Sequence, residues 1–343
     1  MAKGGSTLPE SSFTLGGGVG AGIGDQVSDD RVRRHFADGA TIVLQGLHRT
    51  WAPLTEFGQA LAAELGHPVQ INAYITPPQN QGFADHYDIH DVFVLQVHGT
   101  KRWIVHDPVL RSPLRSQTWD QRAADVARVA AEPPALETTL APGDCLYLPR
   151  GFVHAAKAQG EISAHLTIGI HTWTGHHLAE ALLDAARAAL VADESVRASL
   201  PLGVDVAAEE QVRDATESVR ARLIAALSGV GPDAVAATLL GRSRAGQRPA
   251  SVPPLAQLAA AAAVGPDAVL RLRPHLLATL EEDAHGHTVV RSRAGRFTVA
   301  ADHRPALQRL LDTGSVPVAD LAATPDVARD LARTLLIEGV ATT

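Results

Sequence analysis

Gln81-Gly82-Phe83-Ala84-Asp85-His86-Tyr87-Asp88-Ile89-His90-Asp91-Val92-Phe93-Val94-Leu95-Gln96-Val97 is the stretch on which the reading of this chain turns. Its second half, Asp91–Val97, is short, apolar and β-branched, the pattern of a buried strand. Its first half holds His86 and Asp88 two residues apart. On extended backbone, residues i and i+2 face the same way, so an imidazole nitrogen and a carboxylate oxygen converge on one point. Such an N/O pair suits Fe(II). With one more histidine it makes a 2-His-1-carboxylate facial triad, which leaves three positions of an octahedron open.

The third donor comes from Pro142-Gly143-Asp144-Cys145-Leu146-Tyr147-Leu148-Pro149-Arg150-Gly151-Phe152-Val153-His154. Pro-Gly-Asp and Pro-Arg-Gly are turn signals on either side of a short strand, and His154 opens the next strand. It lies 68 residues after His86, room enough for the intervening strands and a loop. In a chain with 16 histidines an H-x-D is by itself a weak signal; the two stretches together are specific.

Working outward, Thr41–Leu47, Val69–Ile75, Asp91–Val97, Lys101–Val105, Leu136–Leu140, Asp144–Leu148, Val153–Lys157 and Ile162–Ile170 read as strands separated by Gly, Pro and Asp. Many short strands without a βαβ rhythm favour an antiparallel sandwich or barrel. Helices are expected near Asp30–Phe36 and Trp51–Leu65. Beyond Gly175 the spacing turns helical through Ala263, with breaks at Pro201–Gly203, Gly229–Pro232 and Pro249–Pro254. Two or three helices bury little core alone, so they need a partner surface. Gly265–Thr343 reads as a small mixed domain of winged-helix type. Its nine Arg and no Lys against ten Asp/Glu argue against DNA binding, which requires a basic face.

The bulk numbers bound the rest. A length of 343 residues implies more than one domain. The net charge of −7 argues against a polyanion binder. One cysteine, Cys145, permits no internal disulfide, and no run is long and apolar enough for a membrane helix; the location expected is cytoplasmic. The Gly16–Gly24 run fits no phosphate-loop pattern. Only Lys3, Lys101 and Lys157 are lysines. Lys101 follows a Gly99-Thr100 turn onto a strand expected beside the one that follows H-x-D. His98 and His106 are expected at the surface, and His165 is expected to face inward.

The combination resembles the Jumonji-C ribosomal oxygenases, cupin-like protein hydroxylases. The resemblance is carried by Asn72–Pro78, Gly82–Asp88, Asp91–Val97, Gly99–Trp103, Pro142–His154 and His165–Thr167, within Gly39–His171. It implies an α+β chain: a double-stranded β-helix (jelly-roll) catalytic domain over 1–175, a helical dimerisation domain over 176–264 and a winged-helix-like domain over 265–343. It also implies Fe(II) on His86, Asp88 and His154, with 2-oxoglutarate and O2 as cosubstrates. Lys101 would grip the distal carboxylate of 2-oxoglutarate, and Asn72, Tyr74 and Thr167 would line its pocket. The substrate implied is a His or Arg side chain of a ribosomal protein, and the assembly a homodimer. An oxygenase acting on a small molecule or a peptide natural product, or a non-oxygenase metal-binding cupin, is the alternative. Members of that family usually carry further residues before the point where this chain starts, so a shortened start or a trimmed N-terminal sheet is expected.

Overall fold

The computed structural model describes residues 1–78 and 80–343. They form two compact units, Met1–Thr172 and Trp173–Thr343, each mixing helix and sheet.

Besides four two-residue strands before Asp29, the first unit contains eight strands among the described residues: β1 (Ile42–Leu44), β2 (Val69–Thr76), β3 (Asp91–His98), β4 (Lys101–Pro108), β5 (Leu136–Leu140), β6 (Cys145–Leu148), β7 (Phe152–Ala158) and β8 (Ser163–Ile170). They make two antiparallel sheets, in the order β6-β3-β8-β2-β1 and β7-β4-β5. Val92 and Val94 of the larger sheet meet Trp103 and Val105 of the smaller one in a shared apolar cluster. Strand alternation accounts for this: on β3, Val92, Val94 and Gln96 are buried between the sheets, while Phe93 and Leu95 point to the opposite face.

That outer face is covered by α2 (Ala52–Leu65), which follows α1 (Asp29–Ala37). Ser28 caps α1 through the Arg31 amide, and Asp29 and Asp30 in its first turn complement the helix dipole. Leu54 and Ala62 of α2 bury against Val69, Ile71 and Ile168.

Two expectations are corrected here. Lys101 does not open a strand beside β3. Its strand β4 pairs with β7 and β5, in the other sheet. The tight Gly99-Thr100 turn therefore carries the chain from one sheet to the other. His106 is buried, not at the surface. An element that was not anticipated, α3 (Ala123–Ala130), packs against β4 and β7. His98 is exposed as expected.

The second unit begins with α4 (Gly175–Ala192), α5 (Glu209–Ser228), α6 (Pro232–Gly246) and α7 (Pro254–Ala263). It continues with β9 (Val269–Leu272), β10 (Thr279–Glu282), β11 (Thr288–Arg291), β12 (Arg296–Val299), α8 (Arg304–Thr313), β13 (Ser315–Pro317), α9 (Pro325–Ile337) and β14 (Ala341–Thr342). The strands form two three-stranded sheets, β13-β9-β14 and β10-β11-β12. Leu270, Leu307, Leu310, Leu331, Leu335 and Leu336 form the centre of this unit's core. By contrast α5 and α6 bury no residue fully. No single helix among the described residues is long and apolar enough to cross a membrane.

Candidate active site

His86 and Asp88 lie in the segment before β3, outside any regular strand. That segment is held extended by β7 and the turn before it. His86 and His154 exchange both backbone hydrogen bonds, 3.2 Å from the His86 amide and 2.8 Å from the His154 amide. The Gly151 amide donates to the Asp88 carbonyl at 3.0 Å. Gly151 itself has φ +91°, and a Cβ there would stand 2.2 Å from the Leu110 carbonyl oxygen, so the turn that launches His154 requires glycine.

This backbone pairing brings three donors together. The ligand atoms of His86, Asp88 and His154 all lie within 4.8 Å of one another. The two imidazole centroids are 4.5 Å apart, and His154 Nε2 is 3.8 Å from Asp88 Oδ2. His86 Nδ1 lies 2.8 Å from the Ala84 carbonyl and His154 Nδ1 lies 3.1 Å from the Phe152 carbonyl. A carbonyl only accepts, so the proton of each neutral ring sits on Nδ1 and the Nε2 lone pairs remain for a metal. Burial, and then the neighbouring His86, hold the His154 pKa down to about 4, so this ring is neutral at ordinary pH. The donor set fits a divalent first-row metal such as Fe(II).

The triad opens on a cavity of about 270 Å³, lined among others by Tyr74, Lys101, Trp103, Trp119, His165 and Thr167. Lys101 is 4% exposed. Its ammonium donates to Thr76 Oγ1 at 3.1 Å and lies 3.5 Å from His165 Nδ1. Among the described residues it forms no ion pair with a carboxylate. Desolvation lowers its pKa to about 8. Burial, and then Lys101, drive the His165 pKa well below the usual histidine value, so this ring is neutral and can accept from the ammonium. The ring of Tyr74 stacks on His165 at 5.1 Å, and burial, then Asp88, push its phenol up to about 12. A buried, uncompensated cation at the wall of a polar cavity is a site for an anion.

Tyr74 and Thr167 therefore line the cavity with Lys101. Asn72 does not: its Oδ1 accepts the Gly46 amide at 3.0 Å and tethers the chain after β1. Residue reading assigned no cavity role to Thr76, Phe83, Trp103 or Trp119. Thr76 and Trp103 were within reach, since they stand i+2 from Tyr74 and Lys101. Trp119 was not, because it stands in the short helical turn Trp119–Arg122, outside any strand or longer helix.

Comparison with known proteins bears on the same residues. Residues 31–178 match the JmjC domain family. Ribosomal oxygenase 1 of Rattus norvegicus is 39% identical over 150 residues, covering 43% of this chain and 24% of that protein. The bifunctional lysine-specific demethylase and histidyl-hydroxylase NO66 of Drosophila grimshawi is 34% identical over 179 residues, covering 49% of this chain and 23% of that protein. The matched part thus amounts to about a quarter of these relatives' length. Among solved structures, E. coli ycfD aligns over 88% of this chain and 78% of its own, at 16% identity and a TM-score of 0.49. All of the cavity residues named above fall inside the JmjC region.

Proposed function

We propose that this chain is an Fe(II)- and 2-oxoglutarate-dependent oxygenase that hydroxylates a His or Arg side chain of a ribosomal protein. The observation that carries the reading is one cavity with two features. Two imidazoles and a carboxylate converge at one place, and a buried lysine without a carboxylate partner among the described residues waits at another. A dianionic α-keto acid chelating the metal needs such a cation for its far end. The identity of 34–39% to a ribosomal oxygenase and a histidyl-hydroxylase supports the substrate class.

In this reading His86, Asp88 and His154 hold the iron, and their carbonyl-bound Nδ1 protons fix the ring orientations. Bound Fe(II) with 2-oxoglutarate and O2 supplies hydroxylation of an unactivated C–H bond, with 2-oxoglutarate leaving as succinate and CO2. Lys101 neutralises the distal carboxylate, while Thr76 and His165 hold its ammonium in place. Tyr74, protonated at working pH, offers a phenol donor, and Thr167 a hydroxyl. Val92, Val94 and Leu148 keep that end of the cavity apolar.

The second unit is read as a helical domain over 176–264 that pairs two copies, followed by a winged-helix-like domain over 265–343. Leu178, Leu183, Val191, Val219 and Ile224, exposed on α4 and α5, support the pairing. The test of the function is anaerobic Fe(II) loading followed by 2-oxoglutarate turnover. Succinate from the wild type and none from His86→Ala is expected, with a +16 Da product on a ribosomal protein. Absence of both 2-oxoglutarate binding and succinate would transfer the chain to the metal-binding cupins without oxygenase activity.

A further inference from the structure

The cavity is graded in exposure. Lys101, His165 and Trp103 are 4–5% exposed, whereas Trp119 is 37% exposed. The deep part is thus the place for the cosubstrate, and the rim around Trp119 is what an incoming side chain meets. The Trp119 ring centroid lies 6.3 Å from that of His86, and the Phe83 centroid lies 6.0 Å from it. Phe83 and Tyr74 meet edge to face, 6.1 Å between centroids. Two aromatic rings therefore neighbour the metal-ligating imidazole in the cavity lining.

Trp119 is also held in place. Tyr87, the residue between His86 and Asp88, is buried, and its hydroxyl donates to the Gln117 carbonyl at 2.9 Å. Gln117 Oε1 accepts the Leu114 amide at 2.8 Å, and Gln121 Nε2 donates to the Ser116 carbonyl at 3.0 Å. Just beyond the short helical turn Trp119–Arg122, Val126 of α3 packs with Tyr87 and with Val153, the neighbour of His154. The H-x-D segment and the β7 strand thus both anchor the segment that carries the indole. Asp85 acts on His154, and Asp120 and Arg122 both act on Tyr87, so the named charges near the mouth are two carboxylates and one guanidinium. Charge favours a cation there, and the fixed aromatic faces add selection for shape.

We infer that Trp119 is a specificity-determining residue, which stacks a planar, delocalised side chain — guanidinium or imidazole — over the metal centre and disfavours flexible or aliphatic ones. This rests on the oxygenase reading above. A cation over an aromatic face gains about two- to thirty-fold depending on how dry the contact is, and a planar guanidinium or imidazole can stack on the ring as an ammonium cannot. At this partly exposed site about five-fold is expected.

The test uses the full chain loaded with Zn(II) and 2-oxoglutarate, so that binding is read without turnover. The probes are nine-residue Gly/Ser/Ala peptides with one central Arg, His, Lys or Leu, and their Kd values are measured by ligand-observed NMR. The expected result is tighter binding of the Arg and His peptides than of the Lys and Leu peptides, by about five-fold. That ratio should collapse towards one in Trp119→Ala and return in Trp119→Phe. Arg against Lys separates planarity from charge, and Arg against His tells which planar group is preferred. A ratio near one in the wild type, or a preference that survives Trp119→Ala, would overturn the inference while leaving the oxygenase reading intact. Failure of the wild type to bind Zn(II) and 2-oxoglutarate at all would remove that reading, and this inference with it.

Discussion

Lys101→Met should stabilise the ligand-free protein while removing its affinity for 2-oxoglutarate. Lys101 is 4% exposed, and burial lowers its pKa from 10.5 to about 8. That drop corresponds to about 3 kcal/mol of cost for keeping the ammonium charged in the folded state. Methionine fills similar volume without charge, but forfeits the hydrogen bond to Thr76, worth about 1 kcal/mol. The net gain expected at pH 7 is about 2 kcal/mol. The sign with pH follows from linkage. Below pH 8 both states carry the proton and the whole cost is present. Between pH 8 and 10.5 the folded state has released the proton and the unfolded state has not, so wild-type stability rises with pH across that window. Urea unfolding followed by tryptophan fluorescence measures this, since Trp51, Trp103 and Trp119 all lie in the first unit. The binding side has the opposite slope. 2-Oxoglutarate needs the charged ammonium, so its affinity should weaken about ten-fold at pH 9 relative to pH 7. A Lys101→Met protein less stable than the wild type, or 2-oxoglutarate binding flat to pH 9.5, would refute the idea of a cation kept buried for an anion.

Two further outcomes follow from packing. Gly151→Ala drives a Cβ to 2.2 Å from the Leu110 carbonyl at φ +91°, so it should cost more than about 1 kcal/mol and weaken Co(II) binding by displacing His154, measurable by calorimetry. Leu335→Ala removes a fully buried side chain from the core of the second unit and should cost about 2–5 kcal/mol. Calorimetric melting should show the loss, with metal binding retained; loss of metal binding as well would mean that the two units do not fold independently.

Local pattern was enough for the strands, because a period of two and the turn residues between them are written in adjacent letters. The two sheets use the strands expected, from Val69 to Ile170, with boundaries shifted by up to three residues. His86, Asp88, His154 and Lys101 were legible as residues because their spacing and turn context are themselves local. The 109–135 segment was not anticipated, although Ala123–Ala130 is rich in alanine and amphipathic; eight residues are too few to stand alone, and Val126 packing on Tyr87 and Val153 fixes the helix in place.

What the sequence alone determined is therefore the donor set, the strands from Val69 to Ile170 and a class that mixes helix and sheet. What tertiary structure decided is placement. Sheet pairing put Lys101 on the strand beside His154 rather than beside β3. Tertiary packing buried His106, and Asn72 accepts the Gly46 amide instead of lining the cavity. Each of these depends on which distant backbone or side chain arrives as a neighbour, and desolvation and hydrogen bonding act only once that neighbour is in place.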